Sequence, residues 1–282
     1  ISKSKKKRNT KFENLIGPTD SKVDHEARER LVSARIGLLL RHSFFGNLAT
    51  RLKLTNADEW CSTAATDGQS FYYNSRFIMM LKPKEVEFLV GHEVLHVVYD
   101  HMGRRNDRDP QIWNIADDYC VNWDLVEQRV GDKIPVALYD AKYKGMSAEE
   151  VYDDLYENAD KINIDQLMKQ LLDEHLDGEG DSGSGDDDED GEGKEGKGRP
   201  RLSKEDRQAI KDEIREALLQ AAQATGASNL PSGVKRLIKD LTRPVVNWRE
   251  LLEQQIQSTV KNDFTWLRPS RRSWHLDAVM PG

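Results

Sequence analysis

From Pro83 to about residue 101 the chain can fold only as a buried helix, yet it carries three ionisable side chains in its middle. Val86, Phe88, Leu89, Val90, Val94, Leu95, Val97 and Val98 cover nearly every face at the helical period. Lys82-Pro83 marks the start, because proline suits the first helical position and Glu85 and Glu87 suit the positive end of the helix dipole. Gly103 is the expected C-cap. Inside this apolar run stand His92, Glu93 and His96. Residues four apart differ by about 40° around a helix axis, so the two imidazoles project side by side. Three titratable groups in such surroundings are costly unless they share a partner, and a cation supplies one.

The spacing suits zinc. Two imidazoles one turn apart can occupy two corners of a tetrahedron, and Glu93 can act as general base on water activated by the metal during attack on a polarised carbonyl. A third protein ligand is then needed, and three residues are candidates. Asp118 lies on a second helix expected over residues 113–127, on the core-facing stripe with Ile115, Asn122 and Leu125. His101 follows His96 by five residues and points about 140° away unless the helix breaks early. Asp117 is turned about 100° from Asp118, with Asn114 and Val121. The order taken is Asp118, His101, Asp117. Tyr99, Tyr119 or His101 can steady an oxyanion, and the sequence does not choose among them.

The rest of the chain frames this centre. Residues 25–41 follow a helical period through Leu31, Ala34, Leu38 and their neighbours; residues 49–54 and 61–66 read as strands, and Asp67-Gly68 is a hairpin turn before a strand at 70–73. Further helices are expected at 147–157, 164–174, 203–225 (with Ser203 and Asp206 as a capping box), in a short piece after residue 230, and around 248–260. The resulting fold class is α+β, mostly helical with a small antiparallel sheet. Residues 1–20 form a basic arm expected to be disordered, 21–176 the core, 177–200 a flexible acidic insertion, and 201–282 a helical part packing back on the core.

Net charge is −7 over 282 residues, but residues 177–199 hold ten acids against three bases, which leaves 39 of each sign elsewhere. Such a balance does not point to nucleic acid. The cluster from Trp266 to Trp274, with Arg268, Arg271 and Arg272, reads as arginine packed on aromatic faces rather than a single-strand binding platform. No apolar run reaches the roughly 18 residues of a membrane helix. Cys61 and Cys120 exclude a disulfide framework, so a reducing cytoplasm is the expected setting.

Together these signals resemble a metallopeptidase family that usually sits N-terminal to a VWA-like domain in bacterial and phage proteins, often beside a MoxR-type AAA+ ATPase. The likeness is carried by Thr66-Asp67-Gly68 with Tyr73-Asn74, by His92-Glu93-Val94-Leu95-His96 with His101, and by Trp113-Asn114-Ile115-Ala116-Asp117-Asp118 with Asn122. It continues through Gly145-Met146-Ser147-Ala148-Glu149-Glu150-Val151-Tyr152, Trp248-Arg249-Glu250-Leu251-Leu252, Asp263-Phe264-Thr265-Trp266 and Arg268-Pro269-Ser270-Arg271-Arg272. The resemblance implies a zincin-like core, zinc as cofactor, a protein or peptide substrate, an AAA+ ATPase as a possible partner, and a VWA-like domain after residue 282. It places the family's acidic ligand on Asp118. In zincin-like folds an edge strand above the active-site helix pairs with extended peptide, a role open to the hairpin at Asp67-Gly68.

Overall fold

The computed structural model describes residues 12–159, 162–172, 204–226 and 230–242, with Leu252, Glu253, Gln255 and Ile256. The chain divides into two compact units, Ile1–Ile238 and Lys239–Gly282. The first holds the helices α1 (Ser21–Arg41), α2 (Ser43–Arg51), α3 (Ser75–Met80), α4 (Pro83–Tyr99), α5 (His101–Arg104), α6 (Pro110–Glu127), α7 (Ala148–Glu157), α8 (Ile164–Met168) and α9 (Lys204–Thr225). Its strands are β1 (Lys53–Asn56), β2 (Ala64–Thr66) and β3 (Ser70–Tyr73). A last helix, α10 (Ser232–Thr242), begins in the first unit and ends in the second. The expected acidic insertion and the Trp266–Trp274 cluster lie outside the described residues. So does most of the helix expected around 248–260, whose four described residues are helical.

α4 is the centre of the first unit. It packs against α1, α2, β2, α6 and α9, which is why its apolar residues run all the way round. Glu85 closes its N-terminus, its Oε2 accepting from Lys82 N at 2.8 Å. α1 is apolar on two sides: Ala27, Leu31, Ala34 and Leu38 face the core, while Val32, Ile36, Leu39 and Leu40 are exposed. Phe12, within the stretch expected to be a disordered arm, is buried against Phe77 with ring centroids 5.1 Å apart.

The sheet departs from the antiparallel expectation. Its order is β1-β3-β2, with β1 parallel to β3 and β2 antiparallel to it. The stretch at 49–54 read as a strand, but residues through Arg51 belong to α2, where Phe44, Phe45, Leu48 and Ala49 bury one helical face; β1 starts only at Lys53. The hairpin at Asp67-Gly68 is present. Gly68 takes φ +92°, and Asp67 Oδ1 accepts from Gln69 N and Ser70 N at 2.9 and 2.7 Å. Ile210 and Ile214 of α9 cover it, so a Cβ on Gly68 would lie 2.8 Å from Ile210 Cγ2. β2 is an edge strand whose three residues are all buried.

Asn74 ties three segments together from a fully buried position. Its Oδ1 caps α3 at Phe77 N (3.0 Å), and its Nδ2 donates to Cys61 O (2.9 Å) and Leu15 O (3.1 Å). Asn74→Ala is expected to lower the unfolding free energy by about 1–3 kcal/mol through the lost cap and two carbonyls without their donor. A urea midpoint equal to that of the unsubstituted chain would refute this.

Candidate metal centre

The middle of α4 faces α6, and the two helices bring three side chains to one point. His92, His96 and Asp118 are buried, and their ligand atoms lie within 4.8 Å of one another. The His92 and His96 Nε2 atoms are 3.1 Å apart, and Asp118 Oδ1 stands 3.6 and 3.5 Å from them. A regular tetrahedron with zinc–donor bonds of ~2.0–2.1 Å has edges of about 3.3–3.4 Å, so the donor triangle fits a metal of that size. Two imidazoles and one carboxylate are also the donor chemistry of zinc sites that keep a fourth position open.

Each candidate ligand is oriented from behind. Asn122 Nδ2 donates to Leu138 O at 3.0 Å, which turns its Oδ1 towards His92 Nδ1, also at 3.0 Å. His92 therefore carries its proton on Nδ1 and presents the Nε2 lone pair to the centre. Asp118 divides its oxygens: Oδ2 accepts from Leu172 N at 3.4 Å, while Oδ1 faces both histidines. Glu93 follows His92 directly and is fully buried.

Asp118, expected from the stripe on the second helix, is thus brought to the two histidines. His101 and Asp117 stand elsewhere. Asp100 adopts a left-handed conformation (φ 49°, ψ 44°) that ends α4 at Tyr99, two residues before the expected end, and caps it in place of Gly103. Asp tolerates this region because its short side chain bonds locally, and here Lys211 of α9 holds it at 3.0 Å. The break turns His101 back, but to the rear of His96. Its Nδ1 lies 3.1 Å from His96 Nδ1 and its Nε2 3.6 Å from Asp117 Oδ1. Trp113 Nε1 donates to His101 O at 3.0 Å.

The side chains considered for steadying an oxyanion separate in the same way. Tyr99 OH donates to Asp124 Oδ2 at 2.5 Å, and burial, then the Asp124 charge, push its phenol well above the ordinary value. Asp124 also accepts from Ser232 Oγ at 3.0 Å, and burial raises its carboxyl above the usual carboxylate range. His101 is engaged behind His96. Tyr119 is only partly buried beside Asp118. A cleft of about 250 Å³ lies on the other side of α4, lined by Val94, Val97 and Val98 with Leu48, Gly68 and Ile214, and none of the three candidate ligands borders it.

In the sequence Asn122 stands on the core-facing stripe and in the motif that carries the family resemblance, with no role of its own assigned. Its position four residues after Asp118 was the available signal, since that spacing puts it on the same helical face. Leu138 O and Leu172 N act through the backbone and leave no signature in residue type.

A mostly helical α+β domain that gathers two histidines and an aspartate at one point defines a candidate metal-binding protein. The chain belongs to the family described as "Putative metallopeptidase domain", whose model matches residues 26–279. No curated protein and no solved structure matches it. No helix among the described residues is long and apolar enough to cross a membrane.

Removing the Asn122 amide should free the His92 ring to rotate and to change tautomer. Asn122→Ala is expected to weaken metal binding by about 10–100-fold in a competition titration against a chelator, with zinc as the probe ion. Unchanged affinity in the folded variant would take Asn122 out of the centre.

Proposed function

We propose that the chain is a zinc-dependent metallopeptidase of zincin-like architecture, acting on a protein or peptide substrate. The observation that carries this is the donor triangle of His92, His96 and Asp118, with a buried glutamate next to the first histidine. When bound, zinc lowers the pKa of water towards about 7 and polarises a peptide carbonyl.

The residues of the chain do the rest. His92 and His96 present their Nε2 lone pairs, and Asp118 adds one negative oxygen. Glu93 lies about 100° from His92 and about 60° from His96 around the α4 axis, so its carboxylate flanks the same face. It takes a proton from water as the water oxygen bonds to the carbonyl carbon, then passes that proton to the nitrogen released when the C–N bond breaks. Burial excludes bulk water from the carboxylate and strengthens its interaction with nearby charge. The setting we assign is a reducing cytoplasm, supported by Cys61 and Cys120, two buried cysteines.

A second reading rests on one observation. His92, Glu93 and Asp118 are each fully buried, as in a closed structural site. On that reading the chain is a metal-stabilised adaptor that works with a MoxR-type AAA+ ATPase and cleaves nothing.

Two substitutions test the site, and hydrolysis by the zinc-loaded wild-type chain separates the readings. Glu93→Gln is expected to keep about one zinc per chain while cutting hydrolysis of a fluorogenic peptide mixture by roughly 10²–10⁴-fold, the usual worth of a general base. Full activity in that variant would remove Glu93 from the mechanism, and a zinc-loaded wild-type chain without hydrolysis would favour the adaptor. His96→Ala is expected to lose the metal and to unfold at lower temperature, because metal-binding energy is also folding energy. Metal content by mass spectrometry and a thermal melt check both; a variant that keeps its zinc would exclude His96 as a ligand.

A further inference from the structure

We infer that His101 and Asp117 form a buried pair that positions the metal ligand His96, and that neither is itself a ligand. The inference rests on the metal-centre reading above, and its argument is one of proton placement. With zinc bound, His96 offers the Nε2 lone pair, so its ring proton sits on Nδ1. That atom is 3.1 Å from His101 Nδ1, and two protonated nitrogens cannot face each other at a hydrogen-bonding distance. His101 Nδ1 therefore accepts, and the His101 proton sits on Nε2. Asp117 Oδ1 lies 3.6 Å from Nε2, beyond hydrogen-bond length but close enough for its charge to favour a proton on that nitrogen.

The surroundings fix this arrangement. His101 is 1% exposed and Asp117 is fully buried, so neither is held in place by solvent. Trp113 Nε1 holds the backbone oxygen of His101, and its ring meets the His101 ring edge-on at 6.3 Å. Trp113 and Asp117 are one turn apart on α6, so a single helical face grips the backbone and the ring of His101 together. On the far side the left-handed residue Asp100 sets where His101 begins. The negative charge of Asp117, reaching His96 through the His101 ring, raises the electron-donating power of His96 Nε2 and selects its tautomer.

The test compares three variants with the wild-type chain by zinc competition titration and by the visible spectrum of the cobalt(II)-loaded protein. His101→Leu removes the acceptor and is expected to weaken zinc binding about 10–100-fold with a shifted cobalt spectrum. His101→Gln keeps an acceptor oxygen and should recover most of the affinity; Asp117→Asn should weaken binding and shift the cobalt band in the same direction as His101→Leu. Wild-type affinity and spectrum in His101→Leu would overturn the positioning role, as would an equal loss in His101→Gln. Complete loss of metal in His101→Leu, matching His96→Ala, would overturn it in favour of His101 as a ligand. Imidazole nitrogen NMR of the zinc-loaded wild-type chain needs no variant to fold: it should show His101 protonated at Nε2 and bare at Nδ1, and the reverse tautomer overturns the inference. A wild-type chain that takes up no zinc removes the metal centre and this role with it. One that loads zinc normally while His101→Leu matches it removes this role alone.

Discussion

His92, Glu93 and His96 stand on a helix touched by α1, α2, β2, α6 and α9, so their hydration is replaced by contacts from neighbouring elements. Burying an imidazole or a carboxylate away from water costs several kcal/mol unless each polar atom meets a partner. That requirement shapes the facing helix. α6 has the apolar residues of a core helix, Ile112, Ile115, Val121 and Leu125, yet it also buries Asp117, Asp118, Asn122 and Asp124. These polar residues answer α4 and α5. Without that partnership α6 would be among the least favourable helices to bury in the molecule.

The answer is built from helical spacing used twice. Asp118 and Asn122, one turn apart, serve the front of the centre: one faces both histidine Nε2 atoms and the other holds His92 Nδ1. Trp113 and Asp117, also one turn apart, serve the rear by gripping His101. The adjacent pair Asp117 and Asp118 thus divides between two roles because neighbouring residues on a helix point about 100° apart. Two carboxylates that look interchangeable in sequence are separated by geometry alone.

This division also explains what the sequence could and could not show. The meeting of His92 and His96 with Asp118 was legible because a 3.6-residue period leaves little freedom about where side chains on α4 and α6 point. His101 was not placed by periodicity, because its position depends on a break at Asp100, and aspartate is an unusual left-handed cap where Gly103 offered an ordinary one. The parallel pairing of β1 with β3 was equally hidden, since a strand of four residues gives no sign of its partner's direction. Likewise α2 competed with a strand reading at 49–54, and the burial of Phe44, Phe45 and Leu48 on one face decided it. Local pattern gave the types of the longer helices; long-range contact decided the short α2 and set directions and breaks.

The contacts of α9 and α10 carry a consequence for how the molecule comes into being. Ile214 and Ala217 of α9 line the cleft beside Val94, Val97 and Val98, while Ser232 of α10 reaches Asp124 across 108 positions of chain. A chain leaving the ribosome therefore completes α4 while the helix that flanks its valine face is still more than a hundred residues from being made. Until then that face is an apolar surface without its α9 cover, on the side of α4 away from the candidate metal ligands, and such surfaces drive aggregation in partly made chains. Birth order thus leaves the valine face of α4 without its α9 cover for the whole interval between the two helices.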